Sequence, residues 1–246
     1  MIRGVMVIYF LILFLSVVQS LFGVGLLLFG TPLMLLLGYE YTEALMYLLP
    51  ASAVLSWSQV RDFSHEKLNG GYRKLFFLIC LPFLGLGMLA ATEYDLSREI
   101  KFFVTLMLVL AFIVRTSSYF KDRLQILMKK NLPLALGMMG LIHGLSNMGG
   151  SILTPLVSSL YNDKNKVLAA VSFDYAFMAS LQLIILVFIA QVDFEIHHLY
   201  GAGISLAVRY LIGKKIFAFT SEVSYQRLIN GFIFANALLL GINLFN

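Results

Sequence analysis

The sequence predicts an all-α integral membrane protein of about eight hydrophobic segments, in two inverted repeats that each start with a broken-helix hairpin. Three observations carry this. The 246-residue chain is 60% hydrophobic and only 13% charged, against about 25% charged in a typical soluble domain, and its mean hydropathy is +0.87. Its uncharged stretches suit a bilayer, which takes about 20 apolar residues to cross. The triplet Thr31-Pro32-Leu33 also returns as Thr154-Pro155-Leu156, half a chain length later. So much apolar surface could not be kept from water by a soluble domain, and a disordered chain is excluded with it. A single cysteine, Cys80, excludes a disulfide scaffold.

The first uncharged stretch covers residues 4–39. Its start, Met1-Ile2-Arg3, and the later Val18-Gln19-Ser20 have the outline of a signal peptide. The apolar run continues past Ser20 with no charge until Glu40, which favours a first membrane segment. Further stretches cover 44–60, 75–92, 102–114 and 131–162. Then come 167–192, broken only by Asp174, 199–213, broken only by Arg209, and 228–246. Two stretches are too long for one crossing: a straight helix of about 36 residues would run ~54 Å, against ~30 Å of hydrocarbon. Both carry breakers near their middles, Gly23-Val24-Gly25 with Gly30-Thr31-Pro32, and Gly149-Gly150-Ser151 with Thr154-Pro155. Irregular backbone at membrane depth persists only where protein or a watery cavity satisfies it, so these breaks are the first candidates for a working site.

The same offset of 123 pairs Gln59 with Gln182 and Ala53 with Ala176, and the order of segments repeats. A duplication into residues 1–123 and 124–246 follows, the two repeats together forming one transmembrane domain. Charge orients the halves. If every segment crosses once, Lys and Arg divide 10 to 8. If each long stretch enters and returns on one side, the second half is inverted and the division is 15 to 3, as the positive-inside rule prefers and as in many secondary transporters. A hybrid in which only the second stretch returns divides 16 to 2. Charge leaves these last two open; repeat symmetry favours two hairpins meeting near the midplane.

The segment Gly140-Leu-Ile-His143-Gly144-Leu-Ser-Asn147-Met-Gly149-Gly150-Ser151-Ile-Leu-Thr154-Pro155-Leu resembles the signature of the TauE/SafE sulfite exporter family. Gly23-Val-Gly25-Leu-Leu-Leu-Phe-Gly30-Thr31-Pro32-Leu repeats it more loosely. Asn147 and Ser151 stand where that family usually has glycine, and Leu26-Leu27 replace paired glycines in the first half. The resemblance implies a secondary transporter of small anions, sulfite or organosulfonate-like or related carboxylates, in the cell inner membrane.

The residues argue for an anion too. The N-terminus of a helix resuming after a break attracts negative charge, and glycine lets an oxyanion come close. Gly149, Gly150, Ser151 and Thr154 fit this role, with Gly23, Gly25 and Thr31 as counterparts; close helix packing is the alternative use of such glycines. His143 and Asn147 share a helix face one turn apart, and His143 is a donor, a proton carrier or a packed core residue. Gln59 and Gln182 each offer two donors; Ser52, Ser56 and Tyr175 are weaker candidates. Asp174, an acid inside a span, is a functional candidate by default, either for proton coupling or as a partner for Arg209, which could instead snorkel to the cytoplasmic end.

Enzyme readings find little support. Asp193, Glu195, His197 and His198 crowd one loop without a metal-binding pattern, and no Walker sequence or nucleophile elbow is present. The reading is therefore a transporter with no metal and no cofactor, no nucleic-acid partner, the lipid bilayer as its solvent, and a homodimer among the assemblies it allows. An anion or small-solute channel is the alternative.

Overall fold

The computed structural model describes residues 2–93, 117–161 and 163–221, with scattered positions between 102 and 113. The expected segment 228–246, part of 102–114, and Arg98, Lys101, Arg115 and Arg227 lie outside the described residues. The described chain is helical throughout its ordered elements, and helices Gly70–Glu93 and Lys164–Ile189 are each long and apolar enough to cross a membrane.

Helix α1 (Ile2–Phe22) is followed by Gly23 in the left-handed region, φ 71°, a conformation glycine adopts without a Cβ penalty. The chain turns there into α2 (Leu26–Leu36). A Cβ built on Gly30 would lie 3.1 Å from Leu15 Cδ1; a helix running straight on would place these residues about 22 Å apart. The first broken stretch therefore doubles back on itself. Helix α3 (Tyr41–Asp62) runs parallel to α1, Tyr9 meeting Tyr47 near one end and Gln19 meeting Ser52 and Ser56 further on. Helix α4 (Gly70–Glu93) starts where the Asn69 side chain accepts from the amides of Gly71 and Tyr72, and contains a π-helical turn at Phe76–Cys80.

In the second half, α5 (Ser118–Lys130) leads into α6 (Leu132–Ser146). Asn147 adopts φ 62°, and α7 (Gly150–Leu160) resumes. Helix α6 lies parallel to α4, glycine against backbone: Gly140 over the Cys80 carbonyl, Gly144 over the Leu84 carbonyl, and Gly87 against the Leu141 carbonyl. Small residues let backbones approach in a membrane, where dispersion and hydrogen bonding replace the hydrophobic effect as the drive for helix association. Helix α7 returns to the end from which α6 started, since the Tyr161 hydroxyl just beyond it accepts from the Asn69 amide at 2.9 Å. Helix α8 (Lys164–Ile189) and α9 (residues 198–219, with a π-helical turn at Arg209–Gly213) complete the described core.

A Gly144→Val chain would drive a branched side chain into the Leu84 and Met88 backbone, which no rotamer relieves. Overpacking of this kind costs about 1–3 kcal/mol. A lowered Tm in detergent is expected, whereas Gly203→Ala, with no atom near its Cβ, should leave Tm unchanged.

Helices α3 and α8 run antiparallel, Trp57 meeting Phe177 and Ser180 while Tyr47 meets His197 and His198 beyond the end of α8. The Trp57–Ser180 hydrogen bond spans the same 123 residues as the repeated triplets. The two hairpins meet, Asn147 of the second on Thr31 of the first, but not tip to tip. Gly23 packs on Leu168 and Val171, near the start of α8, whereas Asn147 is held by Gln182, roughly 16 Å further along that helix. Contact between hairpins runs instead from the second tip to the middle of α2. His198, from the loop that crowds Asp193, Glu195 and His197, is buried, its ring edge-on to Tyr47, and its Nδ1 accepts from the Glu195 amide.

Candidate functional site

The two breaks are held alike and filled differently. Gln59 Nε2 donates to the Ser20 carbonyl at 3.3 Å, and Gln182 Nε2 donates to the His143 carbonyl at 3.4 Å. Both glutamines and both carbonyls are 123 residues apart, so each long helix has its last turn tied to the next span by the same bond.

At the first break the chain satisfies its own restarting amide, although Ser20 Oγ and Gln59 Oε1 are buried without a partner. Gln19 Oε1 accepts from the Leu26 amide at 3.0 Å, the donor that opens α2, and Gln19 Nε2 donates to Ser52 and Ser56 hydroxyls. Gly25 lies against the Gln19 backbone and Gly23 against Val171, so both glycines admit protein. Gln19 was a lone amide in an otherwise apolar run, the one signal in the sequence for this plug. Replacing it with leucine would leave the Leu26 amide buried without a partner, at a cost of about 1–3 kcal/mol; a matching fall in thermal stability checks this.

The second break gathers five polar residues. Asn147 Nδ2 donates to Thr31 Oγ1 at 3.0 Å, and Asn147 Oδ1 accepts from Gln182 Nε2 at 2.8 Å. This chain links α2, the second tip and α8 through three residues singled out in the sequence. Beside it, the His143 ring stands edge-on to Tyr175 with centroids 5.4 Å apart. Both nitrogens of His143, the Tyr175 hydroxyl and Gln182 Oε1 are buried with no hydrogen-bond partner. Buried polar groups are nearly always paired, so a group of orphans calls for an explanation. Gly150 is what admits the Tyr175 hydroxyl, which a Cβ there would strike, and Gly149 packs on His143.

Other expected donors are already spent. The Ser151 hydroxyl donates to the Met148 carbonyl and Thr154 to the Gly150 carbonyl. The amides of Ser151, Ile152 and Leu153 bond carbonyls of Met148 and Gly149. Among the side chains at this break, those of His143 and Tyr175 carry the unengaged donors.

Asp174 is buried one residue from Tyr175 but faces α4, where the Tyr72 hydroxyl donates to its Oδ2; Oδ1 has no partner. The alternative partner considered for it, Arg209, lies elsewhere. Arg209 is 2% exposed, donates to Asp62 Oδ2 at 2.8 Å and to the Ser20 carbonyl, and Lys214 reaches Asp62 Oδ1 at 2.7 Å. The arginine closes a buried ion pair between α9 and the end of α3 instead of snorkelling. Tyr72 and Asp62 sit in charged flanks of the apolar stretches, where nothing in their spacing singles them out.

No curated protein and no solved structure matches this chain. The family model described as "Sulfite exporter TauE/SafE" matches residues 8–240, nearly the whole chain, which therefore belongs to that family of membrane transporters and is not an enzyme.

Proposed function

We propose that the protein moves a small oxyanion, sulfite or a related sulfonate or carboxylate, by alternating access, and that the anion binds at the second break. The carrying observation is the pair of unpartnered buried donors, His143 and Tyr175, beside Gly150. A neutral imidazole offers one N–H and a phenol one O–H, and the charged oxygens of an oxyanion can accept from both. Gln182 Oε1, an unpartnered acceptor, would take the hydroxyl of a singly protonated oxyanion. Thr31, Asn147 and Gln182 position the tip, and Gly149 and Gly150 keep it close to His143 and Tyr175. Ser151 and Thr154 stiffen the restarted helix. Gly23, Gly25 and Gln59 brace the first break.

The two halves read as inverted repeats, residues 1–123 and 124–246, supported by the matched glutamine bonds and the antiparallel α3 and α8. Their rocking would expose the second break to either side in turn. Asp174 would carry the coupled proton: it is an acid buried within a span, with Tyr72 as its one hydrogen-bond donor among the described residues. Inner-membrane placement belongs to the same reading, while nothing among the described residues supports a homodimer.

Flux of labelled sulfite, a sulfonate and acetate into liposomes tests this. Saturable uptake with counterflow is expected. Non-saturating flux would mean a channel, and no flux of any of the three would remove the proposal. Asp174→Asn should keep counterflow, which needs no net proton movement, while losing accumulation driven by a pH gradient.

A further inference from the structure

A cleft of about 520 Å³ opens on the far side of α8 from both hairpin tips. Its lining includes Val60 and Phe63 from the end of α3, Lys67 and Leu68 from the following loop, Arg73 from α4, and Phe173 from α8. At 100° per residue, Ala169 and Phe173 in the cleft point roughly opposite to Leu168, Val171 and Tyr175, which face the tips. The cleft is therefore no part of the candidate transport site. It lies at the loop that with its flanks carries Arg61, Lys67, Arg73 and Lys74, the side that the positive-inside rule assigns to the cytoplasm.

Its floor and mouth have different chemistry. The guanidinium of Arg73 lies 4.7 Å over the Phe173 ring, and Lys67 is exposed at the rim. Glu66, the one acid in the lining, lies 3.5 Å from His65 Nε2, which offsets its charge only when protonated, and the nearby Asp62 is occupied by Arg209 and Lys214. From Phe173 an aromatic wall continues along the span. Phe77 meets Phe173 and Phe177, and Phe177 meets Trp57. Trp57 is 42% and Phe77 38% exposed, which in a membrane means facing lipid. Two cations at the headgroup level, above an apolar wall that descends among the acyl chains, match a molecule with a phosphate at one end and hydrocarbon at the other.

We propose that this cleft binds one anionic membrane phospholipid, its phosphate oxygens on Lys67 and Arg73 and an acyl chain along Phe173, Phe77 and Trp57. This goes beyond the transport reading and does not depend on it. Trp57 is the only tryptophan in the chain, so its fluorescence reports occupancy directly. The protein is reconstituted in vesicles of phosphatidylcholine containing brominated phosphatidylglycerol or, at equal mole fraction, brominated phosphatidylcholine. Several-fold more efficient quenching by the brominated anionic lipid is expected. The preference should vanish in Lys67→Gln/Arg73→Gln and persist in Lys74→Gln, whose charge lies outside the cleft lining. Unchanged emission wavelength and helical circular dichroism in each variant show that folding is retained, and Arg73→Lys should keep part of the preference if the double variant fails to fold. Equal quenching by the two lipids, or a preference that survives removal of both cations, would overturn the proposal. So would loss of the preference on adding millimolar glycerol phosphate or sulfite, because the cleft would then be a site for free anions.

Discussion

His143→Phe should lower anion flux by about 10- to 100-fold while leaving the protein folded. The two halves of this expectation come from the same fact. Neither ring nitrogen of His143 makes a well-formed hydrogen bond, and the Gln182 side chain beside it keeps its bonds to Asn147 and the His143 carbonyl, so removing the nitrogens strands no firm partner, and phenylalanine fills nearly the same space against Tyr175 and Gly149. The stability change should be small or favourable, since a buried polar group without a partner is itself a cost. The flux loss corresponds to one hydrogen bond to a charged group, about 1.5–3 kcal/mol. A packing histidine would show the reverse pattern, near-normal flux with any change confined to Tm. Uptake kinetics and thermal unfolding on the same preparation separate the two.

Asp62→Ala is expected to produce the largest loss of stability. Arg209 is almost completely enclosed, and Asp62 is its only charged partner among the described residues. Leaving a buried charge uncompensated costs about 3–5 kcal/mol. The damage would extend beyond one pair: Arg209 also donates to the Ser20 carbonyl in the last turn of α1, and Lys214 shares the Asp62 carboxylate. Removing both charges by Asp62→Leu/Arg209→Met should recover much of the loss, because a well-packed apolar pair can match a buried ion pair. Thermal unfolding of the single and double variants measures this. A single variant as stable as the parent would mean that the pair contributes nothing.

Much of the architecture was legible because hydropathy and breakers act on the backbone. Gly23 sits in a left-handed conformation within one expected break and Asn147 does so two residues before the other, while Pro32 and Pro155, expected as breakers, lie inside the resumed helices. The Thr-Pro-Leu and glutamine matches marked equivalent places in the two halves. Where side chains point was far less legible. The glycines at the breaks suit a ligand or a neighbouring helix equally well, and here they admit Gln19, Val171, His143 and Tyr175. Ser151 and Thr154 looked like free donors, yet hydroxyls on a helix readily bond the preceding turn, and these do. Tyr72 and Asp62 were passed over because their partners lie more than 100 residues away in sequence, and so were the bonds of Gln19 to Ser52 and Ser56, 33 and 37 residues away. Tertiary folding alone brings such pairs together.

The anion site proposed at the second break is tested most directly by determining the structure in lipid with saturating selenite, an electron-dense relative of sulfite. Added density within hydrogen-bonding distance of the His143 ring and the Tyr175 hydroxyl, and its absence from His143→Phe, is the expected result. Density at the first break beside Gln19, or an undisturbed His143–Tyr175 pair with the anion bound elsewhere, would contradict it.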